Sequence, residues 1–217
     1  MSDFKPTKKT KVVRGHKRGS YSKEDLYSVL DAGYLCHVAY IFENSPVIIP
    51  TAYGRIGDTI YIHGALKNRM LLSILEQEQA TVAVTHSDGM VLARSAFHHS
   101  FNYRSAVVFG KPRQITDRDQ KNEVLKVITE NVIPGRWDEV RLPSEKELDI
   151  TLVIAIDIIE ASVKQRSGGP IDDDEDYSLP IWAGVLPTKM VFEAPVPDEK
   201  MEQDLPVPDS VTKAKHK

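Results

Sequence analysis

Apolar residues recur along this chain with two periods, and the switches between them mark out the elements. From residue 23 onward Leu26, Val29 and Leu30 form one helical stripe. Ser22 stands at the cap position, Asp25 lies three residues on as in a capping box, and Gly33 supplies the stop. The period then shortens to two. Residues 34–41 and 47–53 are apolar and aromatic runs parted by Glu43-Asn44-Ser45-Pro46, and 59–63 follows a Gly57-Asp58 turn. Pro50 inside the second run predicts an edge, a bulge or an irregular segment, because proline gives no N–H to a sheet ladder. A helix follows Arg69, with Met70, Leu71, Ile74 and Leu75 facing inward.

Residues 80–85 predict another strand, and Ser87-Asp88-Gly89 reads as a hairpin turn into 90–97. A polar interruption at 98–102 precedes a strand at 103–110. Thr116, with Asp119 at the box position, caps a helix whose stripe is Val124, Leu125, Ile128 and Val132, ended by Pro134-Gly135. Ser144 and Glu147 make a second box over a short helix, and 152–163 is the last long strand. The stretch 166–184 is loop-like, with five consecutive acids from Asp172 to Asp176. About six strands, with helices interspersed rather than strictly alternating, predict a mainly β fold: an antiparallel barrel with added helices. The hairpin connections are too short for the crossovers of a parallel sheet.

Length and composition then bound the organisation. With 217 residues and 41% hydrophobic content, one domain with extensions, or at most two small ones, buries a sizeable core. Residues 1–18 carry seven Lys and Arg against Asp3 and read as a basic, mobile arm; 19–187 form the folded domain; 188–217 are a Pro-rich, charged tail. A net charge of −3 argues against nucleic-acid binding. The lone Cys36 excludes an intrachain disulfide and a multi-cysteine zinc site, and its apolar surroundings suit the core better than a nucleophile. No apolar run approaches the roughly 20 residues of a membrane span, and no signal peptide is apparent. A soluble, cytoplasmic protein is the expectation.

The stretch with most chemistry is TIYIHGALKNRMLLSIL, beginning at Thr59. A strand passes through Gly64 and Ala65 into a helix start bearing Lys67 and Arg69, where free backbone N–H groups favour an anion. Basic side chains in a first helical turn oppose the macrodipole by about 0.3–1 kcal/mol each, and a bound phosphate reverses that sign. The alternative is that both reach into solvent. His98-His99, with His63 and His37, do not make a metal site: adjacent residues on an extended chain face opposite ways, and no HExxH is present. The acidic run lacks the alternation of a calcium loop. Lys164 and Arg166 share one face of the last strand, either to neutralise an anionic ligand or to pair with the acidic loop. Walker and GxGxxG motifs are absent.

Taken in order, VIIPTAYGRIGDTIYIHGALKNRMLLSIL, GMVLARSAFHHSFNYRSAVVFGKPRQITD, PGRWDE and GGPIDDDEDYSLPIWAGVLP resemble the flavin-binding split-barrel proteins of the pyridoxamine phosphate oxidase-like superfamily, nearest the nitroimidazole-resistance (Nim) branch, over roughly residues 14–187. The resemblance implies a six-stranded split β-barrel, a homodimer, and FMN in a groove at the subunit interface. It places the phosphate on His63, Gly64, Lys67, Asn68 and Arg69, and the ring edge beside Ile49, Pro50, Thr51 and Ala52. Asn102, Tyr103 and Arg104 fall on a further strand lining the flavin, and Trp182 where a C-terminal segment nears the partner's flavin. His98 or His99 is the candidate hydrogen-bond donor or proton source. The vitamin B6 oxidase pattern is not recognisable. The implied activity is FMN-dependent electron transfer from NAD(P)H to a small acceptor such as a nitro compound. The alternative is a non-catalytic module that binds or senses flavin or haem.

Overall fold

The computed structural model describes residues 3–203 and 205–214. Residues 1 and 2 of the expected arm, and 204 and 215–217 of the expected tail, lie outside the described residues. The fold is mainly antiparallel β with peripheral helices, as the periodicity predicts. Among the described residues there are nine strands: β1 (Gly19–Ser20), β2 (Leu35–Phe42), β3 (Ser45–Ala52), β4 (Gly54–Ile56), β5 (Thr59–Ala65), β6 (Ala80–Leu92), β7 (Ser100–Ile115), β8 (Thr151–Arg166) and β9 (Gly184–Pro187). The excess over the six expected comes from β1, β4 and β9, which are too short to show a period. The helices are α1 (Lys23–Asp31), α2 (Arg69–Leu75), α3 (Arg118–Val132), α4 (Glu145–Asp149) and α5 (Asp209–Thr212). Strands hydrogen-bond in the order β3-β2-β6-β7-β8-β5-β4, with β1 on β8 and β9 on β6.

The chain divides into two compact units. One comprises residues 1–29, 83–108 and 160–190; the other comprises 30–82, 109–159 and 191–217. In the second unit β2 and β3 pair from Leu35↔Ala52 to Phe42↔Ser45 around a two-residue turn, with Glu43 and Asn44 both at positive φ. That is the hairpin geometry whose twist matches the strands. Pro50 sits on β3 at one end of the strand order, the edge position its missing N–H predicts. β5 pairs with β8 from Thr59↔Asp157 to Ala65↔Thr151. Ile60, Ile62, Ile154 and Ile156 are fully buried on one face of this pair. Val153 and Ala155 on the other join Ile115, Val124 and Ile128 in a core cluster, with Ala52 and Tyr61 packed against it. β8 is thus buried on both faces here, which is why its sequence reads as a continuous apolar run.

Helix starts follow the side chains that satisfy them. Ser22 Oγ accepts from Asp25 N at 3.1 Å, and Ser144 and Glu147 form the full reciprocal box that opens α4. α3 departs from expectation by one residue: Asp117, not Thr116, is the cap, accepting from Gln120 N at 2.9 Å. In the tail, Ser210 of α5 hydrogen-bonds the Glu139 carboxylate through both its backbone N–H and its hydroxyl.

In the first unit, residues of the basic N-terminal segment make specific contacts. Phe4 N donates to Tyr21 O at 3.0 Å, and Thr7 and Lys9 both reach Glu160. The hairpin turn expected at Ser87-Asp88-Gly89 is absent, since β6 runs straight through it. Gly89 pairs with Pro187 of β9, and a Cβ there would stand 3.1 Å from Leu186 O, so glycine lets β9 close on the strand. Thr188 N adds a bond to Asp88 O at 3.3 Å. A turn-forming composition is overridden by a strand partner over ninety residues away in sequence.

Candidate functional site

Nine of the expected site residues lie in the second unit. Ile49, Pro50, Thr51 and Ala52 form the end of β3, the edge strand. A terminal strand leaves one row of backbone N–H and C=O groups outside the ladder, which suits hydrogen bonding to a flat ring edge. His63 and Gly64 close β5. Gly64 faces α2: a Cβ there would meet Asn68 Nδ2 and Leu71 Cδ1, each at 3.0 Å, so the small residue admits the start of the helix. The Asn68 side-chain oxygen accepts from Leu71 N at 3.2 Å and caps the helix itself. α2 is only seven residues long, so the weight of an anion site here falls on side chains. Lys67 is exposed. Arg69, also exposed, lays its guanidinium over the Phe42 ring, 4.5 Å from the centroid. His63 Nδ1 is buried without a hydrogen-bond partner, and burial lowers the ring's pKa, holding it neutral at neutral pH.

The same unit carries an apolar sheet face. Leu35 and Ile41 of β2 are 48% and 52% exposed, and Ile48 of β3 is 65% exposed. Cross-strand register puts Ile48 opposite Ala39 and Ile41 opposite Pro46, so these side chains share one side of the hairpin.

The remaining expected residues lie in the first unit. Arg104 is engaged with Asp88, and that hydrogen bond, ahead of any other influence, raises its pKa. Asn102 is buried, its amide donating to Gly168 O at 3.1 Å while its oxygen accepts from Arg166. Trp182 is 70% exposed and lays its ring over Gly184, where a Cβ would stand 3.0 Å from Cζ2. It is a surface ring rather than a core one.

His98 ends a short 3-10 turn, Ala96–His98, rather than lying on extended chain as expected. Its Nε2 meets Asp173 Oδ2 at 3.2 Å, and its ring abuts Phe97 edge-on. His99 Nδ1 lies 2.9 Å from Ser95 O. A carbonyl only accepts, so Nδ1 carries the proton and Nε2 keeps its lone pair. His86 makes the mirror arrangement, with Nε2–H donating to Val29 O at 2.9 Å and Nδ1 left as acceptor. Among the described residues there is no group of three or more His, Cys, Asp or Glu arranged to hold a metal ion, and no helix is long and apolar enough to cross a membrane.

Periodicity did not reveal the ordering of the acidic loop. Asp172, with a fully buried side chain, accepts from Arg94 N and Ser95 N at 3.0 and 3.3 Å and from the Arg94 guanidinium at 3.1 Å. Arg94 in turn stacks over Tyr177, 4.9 Å from the ring centroid. Burial works to raise the Asp172 pKa, but these hydrogen bonds outweigh it and the net shift is downward.

The sequence profile of the pyridoxamine 5′-phosphate oxidase family matches residues 22–165. In structure the chain is similar to the flavocytochrome Anf3 from Azotobacter vinelandii, at 36% identity and TM-score 0.90 over 96% of this chain and 97% of that one. It is similar also to the FAD and haem binding protein from Mycobacterium smegmatis, at 39% identity and TM-score 0.85 over 90% and 96%. A candidate 5-nitroimidazole antibiotic resistance protein from Bacteroides thetaiotaomicron shares the fold, at 18% identity and TM-score 0.58 over 67% and 85%. Among curated proteins nothing matches.

Proposed function

From the premise that the chain belongs to the pyridoxamine 5′-phosphate oxidase family, we propose that it binds a flavin together with a haem and serves electron transfer. The observation that carries this reading is the likeness, at 36% and 39% identity over at least 90% of the chain, to a flavocytochrome and to an FAD and haem binding protein. The flavin would supply hydride or two-electron exchange, and the haem one-electron exchange.

The residues present fit both groups. For the flavin, Lys67 and Arg69 are exposed cations, and they suit the phosphate common to FMN and FAD. FMN is the flavin that the segment resemblance implies; FAD is the one named in the relative at 39% identity. Trp182, exposed and pinned over Gly184, is a surface against which a ring can stack. For the haem, His99 and His86 each give one ring N–H to a backbone carbonyl and keep the other nitrogen as a lone-pair donor. That outer hydrogen bond is the usual support of an iron-ligating imidazole. Phe97 and Phe101, 87% and 57% exposed, flank the His98-His99 pair in sequence and offer apolar surface.

The exposed side chains of Leu35, Ile41 and Ile48 on one face of the hairpin support a homodimer, since exposed apolar side chains gathered on one face often mark an interface. A nicotinamide donor and a small acceptor of the nitro-compound class complete the reading; their support is the resemblance to the Nim branch.

The test is the visible spectrum of the purified protein, and of the protein reconstituted with FMN, FAD and haemin. Flavin bands together with a Soret band, the flavin bleaching on addition of NAD(P)H, are expected. Flavin bands that no donor bleaches would leave a binding module without turnover. Neither set of bands after reconstitution would remove the reading altogether. A His99→Ala or His86→Ala protein that keeps its flavin and loses the Soret band would identify the iron ligand.

A further inference from the structure

β8 ends on Arg166, and the chain then turns through Ser167, Gly168 and Gly169. Arg166 is only 9% exposed. Its guanidinium donates to the Asn102 side-chain oxygen, to Gly168 O at 3.2 Å and to Gly169 O at 2.9 Å. All of these acceptors are neutral. Of the acids of the nearby loop, Asp172 engages Arg94 and Asp173 engages His98, and none forms an ion pair with Arg166 among the described residues. Of the two roles that strand spacing leaves open for Arg166, pairing with the acidic loop is therefore not the one adopted. Three hydrogen bonds use three of five N–H groups, so Nε–H and one Nη2–H remain.

A second cation stands beside it. Arg18 and Arg166 line one cleft of about 420 Å³, together with Gly168, Gly169 and Ile171. Lys164 adds a third: a Cβ on Gly15 would lie 3.7 Å from Arg18 Cδ and 3.9 Å from Lys164 Cε, so the two long side chains converge at that point. No ion pair to an acid is formed by Arg18, Lys164 or Arg166 among the described residues. Burial and the charge of Arg18 both work against protonated Arg166, lowering its pKa. A guanidinium held by carbonyls with two N–H groups left, and the unpaired Arg18 lining the same cleft, make an arrangement that a multiply charged anion stabilises. Open space around Gly168 and Gly169, where a Cβ would meet nothing within 4 Å, lets a ligand approach the backbone. The cleft exceeds what a lone phosphate fills and falls in the size range of small-molecule sites.

We propose that this cleft binds the phosphate group of a phosphorylated small molecule, with Arg166 and Arg18 as its two charged contacts. Such a group has two sources, the phosphates of a flavin or the 2′-phosphate of a nicotinamide donor. The site itself does not depend on the flavin reading.

The test is calorimetric titration of the full-length protein with inorganic pyrophosphate at low salt. Saturable binding is expected, weakened about fivefold to tenfold in Arg18→Ala and weakened by added salt. Arg166 is buried, so Arg166→Lys is a harsher change. Arg18 is exposed, and its variant carries the decision because the fold does not depend on it. Repeating the titration with FAD, NADPH or NADH present separates the sources. Competition by FAD assigns the cleft to a flavin phosphate; competition by NADPH but not NADH assigns it to the donor's 2′-phosphate. No saturable binding to the wild-type protein, or an affinity unchanged by Arg18→Ala, overturns the proposal. Pyrophosphate binding in a protein that takes up no flavin keeps the cleft and removes the flavin reading instead.

Discussion

Arg104 grips Asp88 with a two-pronged fork, Nε donating to Oδ2 at 3.1 Å and Nη2 to Oδ1 at 2.9 Å. The pair bears on one departure from the sequence reading. Asp88 was expected in a turn and instead lies within continuous β6, its side chain held by β7 and its carbonyl by Thr188. Arg104, the side chain expected at a flavin, gives Nε–H and an Nη2–H to Asp88.

Both partners are 36% exposed, so solvent screens the pair and its contribution is about 1 kcal/mol or less. Asp88→Ala and Arg104→Ala should therefore each lower Tm by only a few degrees and by similar amounts. Flavin titrations of the two variants should agree within about twofold, a ratio worth roughly 0.4 kcal/mol. A loss of flavin affinity confined to Arg104→Ala would return this side chain to the flavin.

Arg69 is the side chain on which the proposed phosphate clamp in the second unit rests. Its stacking on Phe42 is worth about 0.5–1 kcal/mol at an exposed site, enough to position the guanidinium without consuming its hydrogen-bond donors. Arg69→Ala should weaken FMN by about tenfold while leaving riboflavin nearly unchanged, because only FMN carries the phosphate. Phe42→Leu should show the same selectivity at smaller amplitude. Equal losses for FMN and riboflavin would contradict the assignment.

How much of this was legible in the sequence follows from the range of the forces involved. Elements set by local periodicity and capping, such as α1 behind Ser22 and α4 behind Ser144 with Glu147, sit where the residues place them. Pro50 marked an edge because its missing N–H is a local fact. What escaped was set by distant partners. β6 runs through a turn-like triplet because β9 pairs with it, and the acidic run is ordered by Arg94, 78 residues from Asp172. The site residues divide the same way. Gly64 and Asn68 act on their own neighbours, whereas the engagement of Asn102 with Arg166 and of Arg104 with Asp88 depends on strand register that no single stretch encodes.

Asp172 gives a pH signature. Its pKa is lower folded than unfolded, so the unfolded chain binds the proton more readily as pH falls. The stabilisation is fully present above the ordinary carboxylate range, near pH 4, and is lost as pH drops through the depressed folded value. Wild-type Tm should fall over that acid window more steeply than that of Asp172→Asn, and the two should run parallel above about pH 6. Identical slopes in the acid window would show that Asp172 is not among the groups that set acid stability.

Lys121 is buried, and among the described residues no acid pairs with it. Its ammonium donates to Leu148 O at 3.0 Å and Thr151 O at 2.9 Å, tying α3 to the end of α4 and the start of β8. Lys121→Met fills similar volume and withdraws both donors, which should cost about 1–3 kcal/mol and several degrees of Tm. Denaturant midpoints measured alongside should shift with the slope unchanged. A variant as stable as wild type would mean that water replaces the ammonium.

Cys36 offers a direct reading of how firmly β2 is closed. Its thiol is fully buried, and burial pushes its pKa up to about 12. Thiolate is the reactive form, so at pH 8 only about one part in ten thousand is available, before access is considered. A disulfide reagent such as 5,5′-dithiobis(2-nitrobenzoate) should leave the native protein unmodified over hours and release one equivalent on full denaturation, the chain having a single cysteine. At intermediate denaturant the rate should rise with the population of the opened state, reporting the stability of the β2–β3 hairpin region. The same measurement bears on chemistry. A thiol this buried is out of reach for nucleophilic chemistry, so the electron transfer proposed above should survive Cys36→Ala, Tm falling by a few degrees from the small cavity left behind. Rapid labelling of the native protein would instead show that the strand opens and that Cys36 is reachable from the surface.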